Sequence, residues 1–264
     1  MDRVIELLFT QWDALEQLIK QIPVQQWSAP SILPGWTNAD ILAHIIGTEL
    51  FLDGETPPDV SLVPGRSYRN EVARLNDRWV TSMRALSPEE LTAKFSDTTA
   101  KRRQSLAALD EQALSAVGWT PVGEAPLRRF LEIRVFDCYV HEQDLRSSTN
   151  IKGGTSGPVA EFSMDEVERA LGYIVGKQAR LPRGTTVRIQ LTGDLQRKWN
   201  IEVGDRARLV PVLETPMAEL TIDAAVFLSL ACGRLSAPSV SDDVRVAGDH
   251  AIAHQIVEHL AFTI

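Results

Sequence analysis

The stretch "RVFDCYVHEQDLR", residues 134–146, carries Asp137, His141 and Asp144 on what should be a buried helix face. At about 100° per residue, His141 lies about 40° from Asp137 and Asp144 about 20° to its other side. Phe130, Ile133 and Val140 share that sector, so the polar groups are sunk among apolar neighbours. A buried, unpaired carboxylate costs several kcal/mol, so a metal, a cation or a hydrogen-bond network must face it. His44, which lies mid-helix with Ile41, Thr48 and Phe51 on its own face, is the leading candidate to complete a site. Two imidazoles and one carboxylate form a three-donor set that suits zinc and leaves one position open for water or substrate. A DxxxH spacing is equally an ordinary i,i+4 ion pair, and a histidine on an apolar face is equally a hydrogen-bonded core residue. Asp144 either accepts a hydrogen bond from a neighbouring arginine or orients an imidazole from behind.

These groups need helices to hold them. Val4, Leu7, Leu8, Trp12, Leu15, Leu18 and Ile19 recur every three or four residues, which predicts a first helix from Val4 to a stop at Pro23. After "LPGW", Thr37 as N-cap, Asp40 in the capping-box position and the Trp36/Ile41 staple predict a second helix that carries His44 and ends near Gly54. The loop "GETPPDVSLVPGRS" precedes a third helix in "YRNEVARLNDRWVTSMRAL". Ser87 and Pro88 open a further helical turn, and "KRRQSLAALDEQALSAV" is either helix or irregular. A long fourth principal helix spans "GEAPLRRFLEIRVFDCYVHEQDLRSS".

The cluster of Gly, Ser, Thr and Pro in "STNIKGGTSGPVAE" marks a boundary between domains at 1–150 and 158–264. Beyond it one helical segment is followed by alternating runs, "TTVRIQLTG", "KWNIEVGD", "RARLVPVL" and "AELTID", and helices return in "AAVFLSLACGRL" and "DHAIAHQIVEHLAFTI". The fold class is multidomain: an all-helical bundle, then a small α+β domain with an antiparallel sheet. His250, His254 and Glu258 follow one another at i,i+4 steps, but Asp249 as N-cap and the apolar Ile252, Ile256 and Leu260 on another face make that row a solvated stripe.

A net charge of -8 argues against nucleic acid or an anionic membrane surface as partner and leaves a small molecule or protein. Cys138 and Cys232 are the two cysteines, without CxxC spacing, so the chain suits a reducing cytoplasm. Cys138 sits about 100° around the helix from Asp137 and reads as a buried small hydrophobe. The acid-studded amino terminus lacks the pattern of a signal peptide, and no apolar run approaches the roughly 20 residues that span a bilayer.

"WSAPSILPGWTNADILAHIIGTE" and "RVFDCYVHEQDLR", in that order, resemble the two motifs of the mycothiol-dependent maleylpyruvate isomerase family, "PGW(T/S)xxDxxAH" and "(E/D)xxVHxxDLR". The matching positions are Pro34, Gly35, Trp36, Thr37, Asp40 and His44, then Asp137, His141, Asp144, Leu145 and Arg146. The resemblance implies a DinB-like four-helix bundle followed by a domain similar to sterol-carrier-protein (SCP2-like) folds. It also implies a divalent metal, usually zinc, on His44, Asp137 and His141. In the characterised isomerase pattern glutamate holds the carboxylate position, so Asp137, one methylene shorter, would draw the metal closer to its helix.

The activity so implied is that of a mycothiol S-transferase or isomerase acting on a small electrophile, its thiol deprotonated at the metal's open position. Arg134 and Arg146 are the candidates to bind a carboxylated substrate or cofactor, although arginines are more often solvated surface. Two other functions fit the same residues: a carrier of an apolar ligand in the second domain, and a zinc-dependent hydrolase using metal-activated water on the same ligands.

Overall fold

In the computed structural model, residues 1–62 and 68–263 are described, so the last five residues of the predicted loop 54–67 lie outside the described residues. The chain divides into two compact units, Met1–Gly154 and Thr155–Ile264. Among the described residues no helix is long and apolar enough to cross a membrane.

In the first unit, α1 (Arg3–Ile19), α2 (Asn38–Leu52), α4 (Pro88–Ala107) and α6 (Leu127–Thr149) close a four-membered ring of packed helices, and α3 (Glu71–Met83) lies against α2. The first helix starts one residue earlier than Val4, because Asp2 accepts a hydrogen bond from the Val4 backbone N–H as N-cap. At Thr37 the predicted capping box is present in full: its hydroxyl accepts from Asp40 N–H and the Asp40 carboxylate accepts from Thr37 N–H. The ring differs from expectation at its fourth place. The stretch from Ser87 onward is no single turn but the 20-residue α4, and the segment after it is split between α4 and the short α5 (Glu111–Ser115). The cause is that α4 buries Thr98, Thr99 and Arg102 alongside Leu91, Phe95 and Leu106, so its inner face carries no continuous apolar stripe.

The first unit is also not purely helical. Val117–Thr120 (β1) and Gly123–Pro126 (β2) pair as an antiparallel hairpin, which takes "GEAP" away from the start of the long helix. Gly123, at φ +105°, makes the turn possible, and Pro126 then leads directly into α6.

Glycine at position 47 of α2 is required by packing. A Cβ there would lie 2.4 Å from Cβ and 2.5 Å from Cγ of Trp79 on α3. Alanine is the better helix former by about 1 kcal/mol, but overpacking against a buried indole costs about 1–3 kcal/mol or more. Gly47→Ala is therefore expected to lower the melting temperature, and a rise would show that α3 can yield.

The second unit is built on a five-stranded sheet in the order β5-β4-β3-β6-β7, with β3 Thr186–Thr192, β4 Lys198–Val203, β5 Ala207–Val210, β6 Ala218–Asp223 and β7 Arg245–Gly248. The sheet is mixed, contrary to the antiparallel expectation: β3 and β6 run parallel, from Val187 against Ala218 to Thr192 against Asp223. An alternating pattern reports only which face of a strand is buried, and both directions of pairing satisfy it. Helices α7 (Pro158–Tyr173), α8 (Ala224–Ala231) and α9 (His250–Glu258) complete this unit, and Asp249 caps α9 as expected. His250, His254 and Glu258 are exposed, and His254 Nδ1 lies 3.5 Å from Glu258 Oε2.

Candidate metal centre

The site begins with a turn. Pro34 and Gly35 occupy the middle of "LPGW", Gly35 has φ +79°, and the Trp36 backbone N–H donates to Leu33 C=O at 3.1 Å, the requirements of a type II turn. Ser31 holds the Trp36 carbonyl through both its N–H, at 2.8 Å, and its hydroxyl, at 2.9 Å. Ser148 on α6 accepts from Ile32 N–H at 2.9 Å, so the turn is tied to the helix that carries Asp137 and His141.

About two helical turns beyond the Thr37 cap, His44 of α2 meets α6. His44 Nε2 lies 3.4 Å from Asp137 Oδ2, and His141 Nε2 lies 3.6 Å from Asp137 Oδ1. One donor atom from each of the three residues lies within 4.8 Å of the others. For bonds of about 2.0–2.1 Å, a tetrahedral zinc places its ligand atoms about 3.4 Å apart, so the separation of His44 from Oδ2 is that of one edge, while His141 faces the other oxygen of the same carboxylate. The three residues predicted as ligands are thus brought together, and their donor set fits a divalent ion of the zinc type.

The surroundings orient each donor. Asp144 Oδ2 lies 2.9 Å from His141 Nδ1, the arrangement that leaves Nε2 free to face the other two donors. The Trp36 ring packs over both imidazoles, 5.5 Å from His44 and 6.3 Å from His141 between ring centroids, while the two imidazoles meet edge to face at 4.8 Å. The His44 and His141 side chains keep only 7% and 9% of their exposure and Asp137 keeps 31%, so the site is reached from the side of the carboxylate.

Electrostatics favours the protonation states that bind metal. Burial lowers the pKa of His44 below 6.5, although the Asp137 carboxylate pulls the other way. Burial alone would raise the Asp137 pKa, but Arg134, His141 and His44 outweigh it and hold the carboxyl well below the usual carboxylate range. Both groups release protons more readily in the folded chain than in the unfolded one. The stability contributed by neutral His44 is therefore complete above pH 6.5 and is lost as pH falls from there towards its lowered folded value. Metal-free protein is expected to melt at lower temperature as pH drops from about 7 to about 5, with a slope from this residue of at most about 1.4 kcal/mol per pH unit. Thermal melts in chelator, compared with His44→Gln, measure this; parallel curves for the two proteins would remove His44 as the cause.

The two arginines considered as ligand contacts are both engaged. Arg134 is 2% exposed and donates from Nη1 to Asp137 Oδ2, from Nε to Glu49 Oε1 at 2.9 Å and from Nη2 to Cys138 Sγ at 3.2 Å. Arg146, about 140° around α6 from His141, donates to Glu142 at 2.7 Å and to Lys152 C=O at 2.9 Å. Cys138 is fully buried, and burial pushes its thiol up to about 12 against the pull of Arg134. Two participants escaped the sequence reading. Trp36 stands in the first family motif, but its one physical role in the sequence is that of a helix staple, and Glu49, fully buried, has as its one signal a lone acid beside "LFL" in a helix apolar on most sides.

With this geometry in place, comparison with known proteins gives a consistent result. Residues 8–146 match the family described as "Mycothiol maleylpyruvate isomerase N-terminal domain", and residues 161–254 match "MDMPI C-terminal domain". Two uncharacterized proteins of Mycobacterium tuberculosis, from strains CDC 1551 and H37Rv, are each 25% identical over 144 residues, 53% of this chain and 53% of theirs. The chain thus spans about half the length of the curated relatives it matches. The crystal structure of the mycothiol-dependent maleylpyruvate isomerase is similar at a TM-score of 0.60 and 17% identity, covering 92% of this chain and 91% of that one. A point mutant of that enzyme matches equally well, at 0.60 and 16%. At such identity the likeness is one of fold. The amino-terminal match alone takes in more than half of the residues, and the chain belongs to the mycothiol maleylpyruvate isomerase family.

Proposed function

We propose that this protein is a mycothiol-using isomerase or S-transferase acting on a small electrophile, with a divalent metal, zinc by its donor set, held by His44, Asp137 and His141. The observation that carries the reading is the convergence of three donor atoms within 4.8 Å from two helices, inside the segment that matches the isomerase family. A divalent cation bound there would lower the pKa of a coordinated thiol and so supply it as thiolate at neutral pH.

The chain's own residues prepare that chemistry. His44, its pKa lowered, presents a neutral ring at neutral pH, and Asp144 holds the His141 tautomer that offers Nε2. Trp36 covers the imidazoles and keeps water from their side, which leaves the Asp137 side for thiol and electrophile. Cys138, protonated and buried, does not compete as a nucleophile. Addition of the thiolate to a carbon–carbon double bond forms a carbon–sulfur bond and leaves a single bond with its electron pair on the neighbouring carbon: transfer ends when that carbon takes a proton, whereas isomerisation rotates about the single bond and then expels the thiolate to restore the double bond.

The test is metal analysis of the purified protein, followed by a panel of electrophiles assayed with mycothiol in metal-loaded and chelator-treated protein. One divalent ion per chain, and turnover requiring both metal and thiol, is the expected result. Turnover of an ester or amide without thiol would replace this reading with a hydrolase. Absence of metal together with a co-purified apolar ligand would replace it with a carrier.

A further inference from the structure

We propose that Arg134 is the positioning residue of the metal centre: locked by Glu49, it fixes the Asp137 carboxylate so that Oδ2 faces His44 and Oδ1 faces His141. The inference rests on the metal reading above and adds to it the device that holds the carboxylate in place.

Asp137 is the exposed member of the three donors, and a half-exposed aspartate on a helix surface is free to turn into water. Here the same oxygen that lies 3.4 Å from His44 Nε2 also accepts from Arg134 Nη1. A carboxylate oxygen has two lone pairs, so one can take the guanidinium N–H while the other stays available to a cation. Arg134 in turn cannot swing. Its Nε and Nη2 both lie 2.9 Å from Glu49 Oε1, and the other oxygen of Glu49 accepts from Arg102 Nε at 3.1 Å. Glu49 is fully buried and Arg134 and Arg102 nearly so, so none of these partners can be traded for water. The guanidinium is planar with donors in a fixed fork, so holding its Nε edge on Glu49 dictates where Nη1 points. Lysine, a point charge with three rotatable donors, keeps the charge and loses the fork.

Cobalt(II) titration of the full-length chain tests this, reading both affinity and the visible absorption of the bound ion, with circular dichroism as the check on folding. Arg134→Lys is expected to bind cobalt about 10–100-fold more weakly than wild type and with an altered visible spectrum. Glu49→Gln, which does not touch Asp137, is expected to shift the spectrum in the same direction with a smaller loss of affinity. A merely structural salt bridge would lower the melting temperature of both variants and leave the cobalt spectrum of the folded protein unchanged; that result overturns the proposal. If Arg134→Lys does not fold, Glu49→Gln decides alone: a shifted spectrum supports the proposal and an unchanged one overturns it. A wild-type chain that takes up no cobalt overturns the metal reading and this inference together, whereas wild-type uptake with an unaffected Arg134→Lys overturns this inference alone.

Discussion

Replacing His44 by alanine is expected to lower divalent-metal affinity by about 10²–10³-fold and to abolish thiol-dependent turnover. Apparent binding free energies of about 10–16 kcal/mol for a four-ligand zinc site give each ligand about 2.5–4 kcal/mol, which converts to that range. The loss falls hardest on His44 because it is the donor from α2, whereas Asp137 and His141 both come from α6. Without it the remaining pair is an i,i+4 chelate on one helix, open on the side where the second helix closed it. The fold should survive, since α2 keeps its Thr37–Asp40 capping box and a wholly apolar flank of Ile41, Leu42, Ile45 and Ile46. Competitive titration against a chromophoric chelator measures the loss, with His254→Ala, in the exposed row on α9, as the control expected to change nothing. Metal retained at wild-type affinity in His44→Ala would sink the ligand assignment.

What could be read from the sequence follows from how far apart the interacting residues are and whether apolar spacing announces them. α1, α2 and α6 announce themselves because their buried residues are mostly apolar and recur at helical spacing, and Thr37 with Asp40 fixes where α2 begins. α4 does not, because part of what it buries is threonine and arginine. "KRRQ" looks like a solvated charge run, yet of its basic residues Arg102 points inward to Glu49 while Lys101 stays exposed. The hairpin Val117–Pro126 is hidden for the opposite reason: its strands are four residues each and largely exposed, so no buried face imposes a pattern. The candidate ligands were legible as types and spacing, and the family motifs tied His44 to Asp137 and His141 across the chain. The support behind them was not. Glu49 meets Arg134 across 85 positions, and nothing local to either residue marks the partner. Trp36 carries a local role, as the residue before an N-cap, that conceals its second one above the imidazoles.

Glu49→Leu is expected to destabilise the metal-free protein by about 3–5 kcal/mol, the cost of removing one partner from a buried ionic cluster. Leucine fills most of the volume and suits the apolar helix around it, so hydrophobic transfer alone would make the change favourable. The charges decide otherwise. Arg134 and Arg102 are 2% and 6% exposed, and Glu49 is the acceptor they share. After the substitution Arg134 keeps Asp137 and the Cys138 sulfur and Arg102 keeps a 3.6 Å contact with Asp53, but each guanidinium is left with a buried Nε–H whose acceptor has gone. Glu49→Gln should cost less, because an amide oxygen still accepts one of the hydrogen bonds. Urea unfolding of chelator-treated protein reads both changes without the stabilisation that a bound metal would add. The pair Glu49→Leu with Arg102→Met should recover part of the loss, since it removes one stranded cation together with its acceptor and leaves Arg134 on Asp137. Recovery in the double variant would show that the stranded charge, and not the lost packing, sets the cost; equal stability of Glu49→Leu and wild type would mean that water reaches the cluster and that the carboxylate side of the metal centre stands without buried support.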